Sequence, residues 1–337
     1  SLRANTTGTN NSALGRFTMT ANISGSSNVG IGNDALKSNT TASNNTAVGY
    51  CSLFTNQTGG GNTALGYQSL KTNTTSNNTA IGFDALCLTS TGTENTGVGK
   101  DALKKNTSGG GNTAVGVEAL NKNTTASNNV AFGKLAMFTN TTGGDNTALG
   151  YQALRLNAVA SNTAVGHSAG LNTTGTLNTY VGASAGVGGT GADANNVGVG
   201  ASALAAITDG THNVAVGYYS GVNITTGDDN VTLGKSAGNA FNSSNIVAVG
   251  SNSLASVTNA TADGSVAVGK SALNALTTGA VNTAIGFESM LATITGANNT
   301  ALGYQSLKTN VDGSNNVAVG SHSLFTFEAS SGGDGCN

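Results

Sequence analysis

Apolar and polar positions in this chain alternate in short bursts, and the bursts recur. In Asn62-Thr63-Ala64-Leu65-Gly66 a β-branched residue and an aliphatic one flank a small one, the period-2 signature of a strand. This five-residue core returns nineteen times between Asn11 and the copy at Asn316, at spacings of 16 to 19 residues that are mostly 17. Position 1 is Asn except at Ile246 and Ser265, and position 2 is Thr or Val except at Ser12. Position 3 is Ala or Gly except at Tyr180 and Thr232, position 4 is Val, Leu or Ile except at Phe132, and position 5 is always Gly. Position 8 is small. Position 9 is usually Leu but becomes Gly at Gly170, Gly186, Gly221 and Gly238, and the remainder of the unit reads as Asn/Thr/Ser/Gly loop.

A helical repeat would lose register when its spacing varies by a residue or two, whereas a solenoid absorbs the change in a loop. Each unit therefore predicts one coil, with about two short strands and two turns. Coils stacked in parallel place identical residues above one another at ~4.8 Å per step, and the whole array predicts a rod on the order of 90 Å long. The expected fold class is all-β, a parallel β-solenoid or β-roll, with residues 1–10 as a lead-in, 11–327 as the array and 328–337 as a flexible tail. Asn45, Asn62, Asn78, Asn95 and Asn112 are expected to form a ladder in which each amide donates to the Asn above and accepts from the one below. Gly49, Gly66, Gly82, Gly99 and Gly116 are the tight corners. The Ala/Gly face lets two backbone layers approach closely, and Val48, Leu65, Ile81, Val98 and Val115 make an aliphatic stripe on the other face. Two or three sizeable apolar groups per coil, at roughly 1.5–3 kcal/mol each when buried, are thin cover for the residues they must order. Such a stripe is expected to meet copies of the same chain, side by side and parallel. The alternative is a single-chain solenoid closed around its own Val/Leu core.

Ser265-Val266-Ala267-Val268-Gly269, followed by Lys270-Ser271-Ala272, resembles the repeat of the YadA-like heads of trimeric autotransporter adhesins. The longer form from Asn146 to Leu154, NTALGYQAL, resembles repeats of bacteriophage tail fibres and related surface fibres. The resemblance runs from about Asn11 to Leu324. It implies a left-handed parallel β-roll, three chains side by side, and a shaft or adhesive head outside the cell, on a cell surface or a virion. The usual spacing of 17 is longer than the adhesin-head unit and implies longer loops. The chain shows neither the coiled-coil stalk and anchor of those adhesins nor the processing domain of many tail fibres, which leaves the mode of attachment open.

Composition narrows the chemistry. With 50 Gly, no Pro, no Trp and 8% charged residues, the chain lacks the charge and proline of a disordered one. Its apolar material, 37% of residues with 5% aromatic, is mostly small and suits a thin core. A net charge of −2 with scattered Lys and Arg gives no footprint for nucleic acid. No apolar run approaches the ~18 residues of a membrane span, so no membrane insertion is expected. The opening SLRANTTG is not a secretory signal, which implies a processed product or a route without one.

Catalytic signals are absent by the same inspection. His167, His212 and His322 lie in separate coils, and Gly186–Gly191, GVGGTG, fits a phosphate-loop pattern without the helix that should follow it. The calcium nonapeptide is missing, and no Ser or Thr has a base and acid arranged as a triad. Asp34, Asp84, Asp101 and Glu118 at position 7 read as exposed polar residues. The expectation is no enzyme, no metal and no cofactor. Cys51 and Cys87, two coils apart at about 9–10 Å, exceed the ~7 Å reach of a disulfide. Cys336, in the tail SSGGDGCN, is a free thiol or, where three tails meet, an interchain link. Tyr50, Tyr67, Tyr151 and Tyr304, with Tyr218-Tyr219, recur near position 6; they either stack on sugars or pack against the next coil. Asn-x-Ser/Thr sequons, such as those at Asn5, Asn39, Asn73, Asn106 and Asn123, are expected from so much Asn and Thr. The function expected is a structural or adhesive fibre segment whose partners are copies of itself and a cell-surface glycan or protein receptor. Two alternatives stand beside it: a filament protomer stacking end to end, since neither end shows a polar cap, and an ice-binding face. The latter rests on Thr-Asn-Thr at Thr72–Thr74 and Thr139–Thr141, an array that fails after about residue 155.

Overall fold

The structure, a computed structural model, describes residues 1–189, 191–239, 242–257 and 262–326. Cys336 and the tail 328–337 lie outside the described residues. The chain divides into two units, Ser1–Ala164 and Val165–Asn337, built on the same plan. Strands β1 (Ser12–Leu14) to β9 (Thr147–Leu149) belong to the first unit, β11 (Thr179–Val181) to β19 (Val317–Val319) to the second, and β10 (Thr163–Val165) falls at the division. Each strand is three residues long and pairs in parallel with that of the next coil, so that Thr46, Ala47 and Val48 lie opposite Thr63, Ala64 and Leu65. Val197 lies opposite Val214 in the same way in the second unit. Among the described residues there is no helix. The fold is an all-β parallel β-solenoid of about 19 coils with a repeat of about 17 residues.

The strand covers positions 2 to 4 and stops at the glycine. Position-5 glycines take φ between 116° and 140°, a region L side chains rarely enter. Space forbids a side chain there too, since a Cβ on Gly66 would run into the carbonyl oxygen of Gly82 in the next coil. The second strand expected in each coil is not formed. Positions 7 and 9 are left-handed instead, as in Gln68 (φ 52°) and Leu70 (φ 50°), and so is position 17, the last of the coil, as in Asn44 (φ 61°). These kinks aim main-chain N–H groups along the stack, so the segment bonds to its neighbours without being a strand. The Leu53 and Thr55 N–H groups donate upward to the Ser69 and Lys71 carbonyls at 3.0 Å, while the Cys51 N–H donates downward to Asn33 at 3.0 Å.

The apolar interior is one side chain wide. Position 3, position 8 and position 9 supply it, as with Ala64, Ser69 and Leu70, all fully buried. Small residues at 3 and 8 leave the Leu room to span the coil. Where one position changes, another compensates. Tyr180 occupies position 3 of its coil, and Gly186 surrenders the Leu of position 9; a Cβ on Gly186 would strike the Tyr180 ring. At Gly221 the missing Leu is replaced by Ile224 from position 12 and Thr232 of the next coil, which would lie 3.0 and 3.2 Å from an added Cβ. The position-4 Val, Leu and Ile residues stay outside this core, whose aliphatic bulk comes instead from the Leu of position 9.

Buried carboxamides close most coils. Asn95 at position 1 and Asn106 at position 12 both donate through Nδ2 to the Gly109 carbonyl, at 2.8 and 2.9 Å. From coil to coil, the Asn112 main-chain N–H and its Nδ2 both donate to Asn95 Oδ1, at 3.0 and 3.1 Å, and Asn123 Nδ2 donates to Asn106 Oδ1 at 2.8 Å. The ladder at Asn45, Asn62 and Asn78 runs chiefly through the main chain: the N–H groups of Asn62 and Asn78 each meet the previous Oδ1 at 2.9 Å. In the coil that begins at Asn62, one residue shorter, Asn62 and Asn73 converge on the Thr75 carbonyl at 2.8 and 2.7 Å. The missing residue thus lies between position 12 and the clamped carbonyl. In the second unit position 12 turns aliphatic at Ile207, Ile224, Val257 and Leu276, all buried.

Two substitutions check this account. Val281 is a β-branched residue held at φ 57° while 58% exposed. Val281→Asn, matching Asn44 and Asn298 in the same column, should raise stability by about 1 kcal/mol in thermal or denaturant unfolding. Gly66→Ala should lower it by about 2 kcal/mol or more, because both φ and the facing carbonyl oppose a Cβ.

Candidate interaction face

Position 4 follows a buried Ala on a strand and so must point outward. Leu65 and Ile81 are 44% and 37% exposed, and Val48, Val98 and Val115 are half-buried. Position 6 adds aromatic residues beyond the bare glycine of position 5. The rings of Tyr50, Tyr67 and Phe83 stack coil on coil with centroids 5.4 and 4.9 Å apart and planes within 16° and 8°. Tyr50 and Phe83 occupy both faces of the Tyr67 ring, leaving its edge to the outside. Phe287 and Tyr304 stack similarly at 5.6 Å. Tyr151 is exposed in the same column. In the first unit the outward band thus combines an aliphatic column and an aromatic one, separated by a column without side chains.

Position 7 differs from the sequence expectation. Asp84 and Asp101 are buried rather than exposed. The left-handed backbone at these residues accompanies carboxylates that converge on Lys104 of position 10, with Nζ 2.9 Å from each. Those two hydrogen bonds hold the Lys104 ammonium well above the usual lysine range. Asp34 pairs with Lys37 at 3.0 Å, and Glu288 pairs with Lys308 at 2.7 Å, which lowers the Glu288 carboxyl. Several cations lie over ring faces: Lys37 is 5.3 Å from both Phe17 and Phe54, and Lys100 lies 6.0 Å from Phe83.

The remaining chemical candidates are dispersed. The His322 ring packs 5.1 Å from Tyr304 and 5.4 Å from Phe325, while His212 is exposed 4.0 Å from Asp229. Among the described residues no three His, Cys, Asp or Glu side chains gather to hold a metal. No helix there is long and apolar enough to cross a membrane. Cys51 and Cys87 are free and buried, and burial followed by the charge of Asp84 pushes the Cys87 thiol up. Thr72 and Thr74 of the Thr-Asn-Thr motif donate their hydroxyls to the Cys87 and Ser90 carbonyls at 3.0 and 2.7 Å, committing them to the next coil. Gly186 is accounted for by the Tyr180 ring it accommodates.

That ring leads to a buried acid the sequence did not flag. Tyr180 Oη donates to Asp193 Oδ2 at 2.7 Å, and the Gly175 N–H donates to Oδ1 at 3.2 Å. Burial raises the Asp193 carboxyl, and the bond from Tyr180 opposes the rise without cancelling it. No family model matches the chain, and no curated protein matches it in sequence.

A carboxyl raised in the fold binds its proton more tightly there than in the unfolded chain. Its stabilising contribution is complete below the unfolded value and is lost as pH rises through the folded one. Asp193→Asn, a neutral mimic whose Oδ1 keeps the Gly175 N–H and whose Nδ2 donates to the Tyr180 hydroxyl, should therefore melt higher than the parent near neutral pH. The gain should vanish toward pH ~3, below the ordinary carboxyl range, in melts taken across pH ~3 to ~8.

Proposed function

We propose that this chain is a non-enzymatic segment of an extracellular fibre, structural or adhesive, whose copies lie side by side as a homotrimer. The observation that carries the reading is the outward aliphatic column, with Leu65 at 44% and Ile81 at 37% exposure in a repeating register. A column of this kind needs a partner with the same coil pitch to stay in phase, and a second copy of the chain has that pitch by construction. At roughly 1.5–3 kcal/mol per aliphatic side chain fully buried, several coils supply ample association energy. Resemblance to the repeats of autotransporter adhesin heads and phage tail fibres supports a left-handed roll and a place on a cell surface or virion. A glycan or protein receptor would meet the ring edges and loops of the outer columns, since the stacked faces are taken.

Sedimentation or light scattering decides the assembly. The parent should weigh three times the chain mass, and Leu65→Asp with Ile81→Asp should shift it toward monomer with an unchanged far-ultraviolet spectrum. A monomeric parent overturns the reading, and a mass that climbs with concentration beyond three chains points to end-to-end filaments instead.

A further inference from the structure

Position 12 carries a second pattern that the coil geometry makes consequential. Asn22, Asn39, Asn56, Asn73, Asn106, Asn123 and Asn140 all sit at that position and all begin an Asn-x-Ser/Thr sequon. The pattern is a product of register, because position 14 is Ser or Thr in each of these coils. Every one of these asparagines is fully buried. Each donates through Nδ2 to a carbonyl of its own coil, at 3.0, 3.0, 2.8, 2.7, 2.9, 3.0 and 2.8 Å in that order. Asn44, Asn77 and Asn298 also begin sequons but stand exposed at the last position of their coils.

We infer that N-linked glycosylation at position 12 and folding of the first unit exclude each other. The native chain therefore arises only where no oligosaccharyl transfer reaches it before its coils close. In that transfer Nδ2 bonds to C1 of an oligosaccharide, the bond from C1 to the lipid diphosphate breaks, and the amide gives up one proton. The product keeps one N–H where the coil-closing and coil-to-coil bonds draw on two, as at Asn123, which donates to both Ala126 O and Asn106 Oδ1. It also attaches a hydrated sugar to an atom with no path to solvent. Burying that sugar is impossible, and expelling it opens the coil. Glycan at position 17 meets neither obstacle. The inference is independent of how the chain assembles.

The full chain, made in one glycosylating eukaryotic cell either in the cytosol or behind an added secretory leader, tests this. Glycan occupancy is read by peptide mass spectrometry and folding by a cooperative melt and protease resistance. The cytosolic product should fold. The secretory product should carry glycan at position 12 and lose the melt. Thr41, Thr58, Ser108, Thr125 and Thr142 at position 14 are exposed, while Thr75 is half-buried and donates its hydroxyl to the Gly92 carbonyl. Changing Ser24, Thr41, Thr58, Thr75, Ser108, Thr125 and Thr142 to Ala removes the position-12 acceptors without removing the asparagines, and Thr232→Ala, which restores the usual position-3 residue, removes the sequon of the buried position-1 Asn230. This variant, first shown to fold in the cytosol, should fold on the secretory route while still carrying glycan at Asn44 or Asn77. Two results would overturn the inference: a folded secretory parent with glycan at position 12, or a variant that folds in the cytosol yet not on the secretory route; a folded secretory parent with those sites empty agrees with it, the coils having closed before transfer.

Discussion

One buried carbonyl per coil, clamped in most coils by two carboxamides, is the constraint on which the first unit depends. Gly109 shows it, held by Asn95 from one side and Asn106 from the other. A fully buried carbonyl without a partner costs about 1–3 kcal/mol, so leaving it bare works against closing the coil. Asn fits because it offers two donors and an acceptor on a short stem. Aspartate has no donor to give, and glutamine is one methylene too long for an interior this narrow. In those coils of the second unit whose position 12 is Ile207 or Ile224, Asn196 and Asn213 hold the Gly210 and Gly227 carbonyls by themselves at 2.8 Å. There Ile207 and Ile224 exchange a hydrogen bond for apolar contact inside the same narrow space.

With polar columns closing the coils, little room remains for hydrophobic bulk. Leu70 and its counterparts at position 9 fill what there is, and the larger share of the aliphatic and aromatic side chains is left outside. Outside, the coil pitch governs contacts: rings lie on rings, and charged groups alternate so that one ammonium serves two carboxylates, as Lys104 does. The exposed apolar band and the buried amides are thus two results of one narrow cross-section.

The strand and its glycine corner were legible in the sequence because both have sharp signatures, alternation at positions 2 to 4 and an invariant Gly at 5. The outward direction of Leu65 and Ile81 followed from the same alternation. Position 12 escaped because Asn between Thr residues looks like loop, although Asn39, Asn56 and Asn73 recur as regularly as position 1. Left-handed Leu at position 9 was unreadable by propensity, since a branched residue at φ 50° is held there by tertiary bonds alone. Asp84 and Asp101 were misplaced as surface residues for a related reason: a position-7 carboxylate is turned inward by backbone shape, not by its neighbours in sequence. Tyr180 was visible as an exception at position 3, but its partner Asp193 lies in a loop where nothing marks it.

The left-handed residues have a kinetic consequence. Positions 7, 9 and 17, together with the glycine of position 5, ask each coil for four backbone conformations that L residues other than Gly seldom adopt unaided. A lone coil therefore has almost no local tendency to exist, while a coil laid on a finished one finds the main-chain partners on that side already in place. Folding of each unit is then a zipper with a slow start and fast propagation, in which finished structure serves as the mould for the next turn of chain.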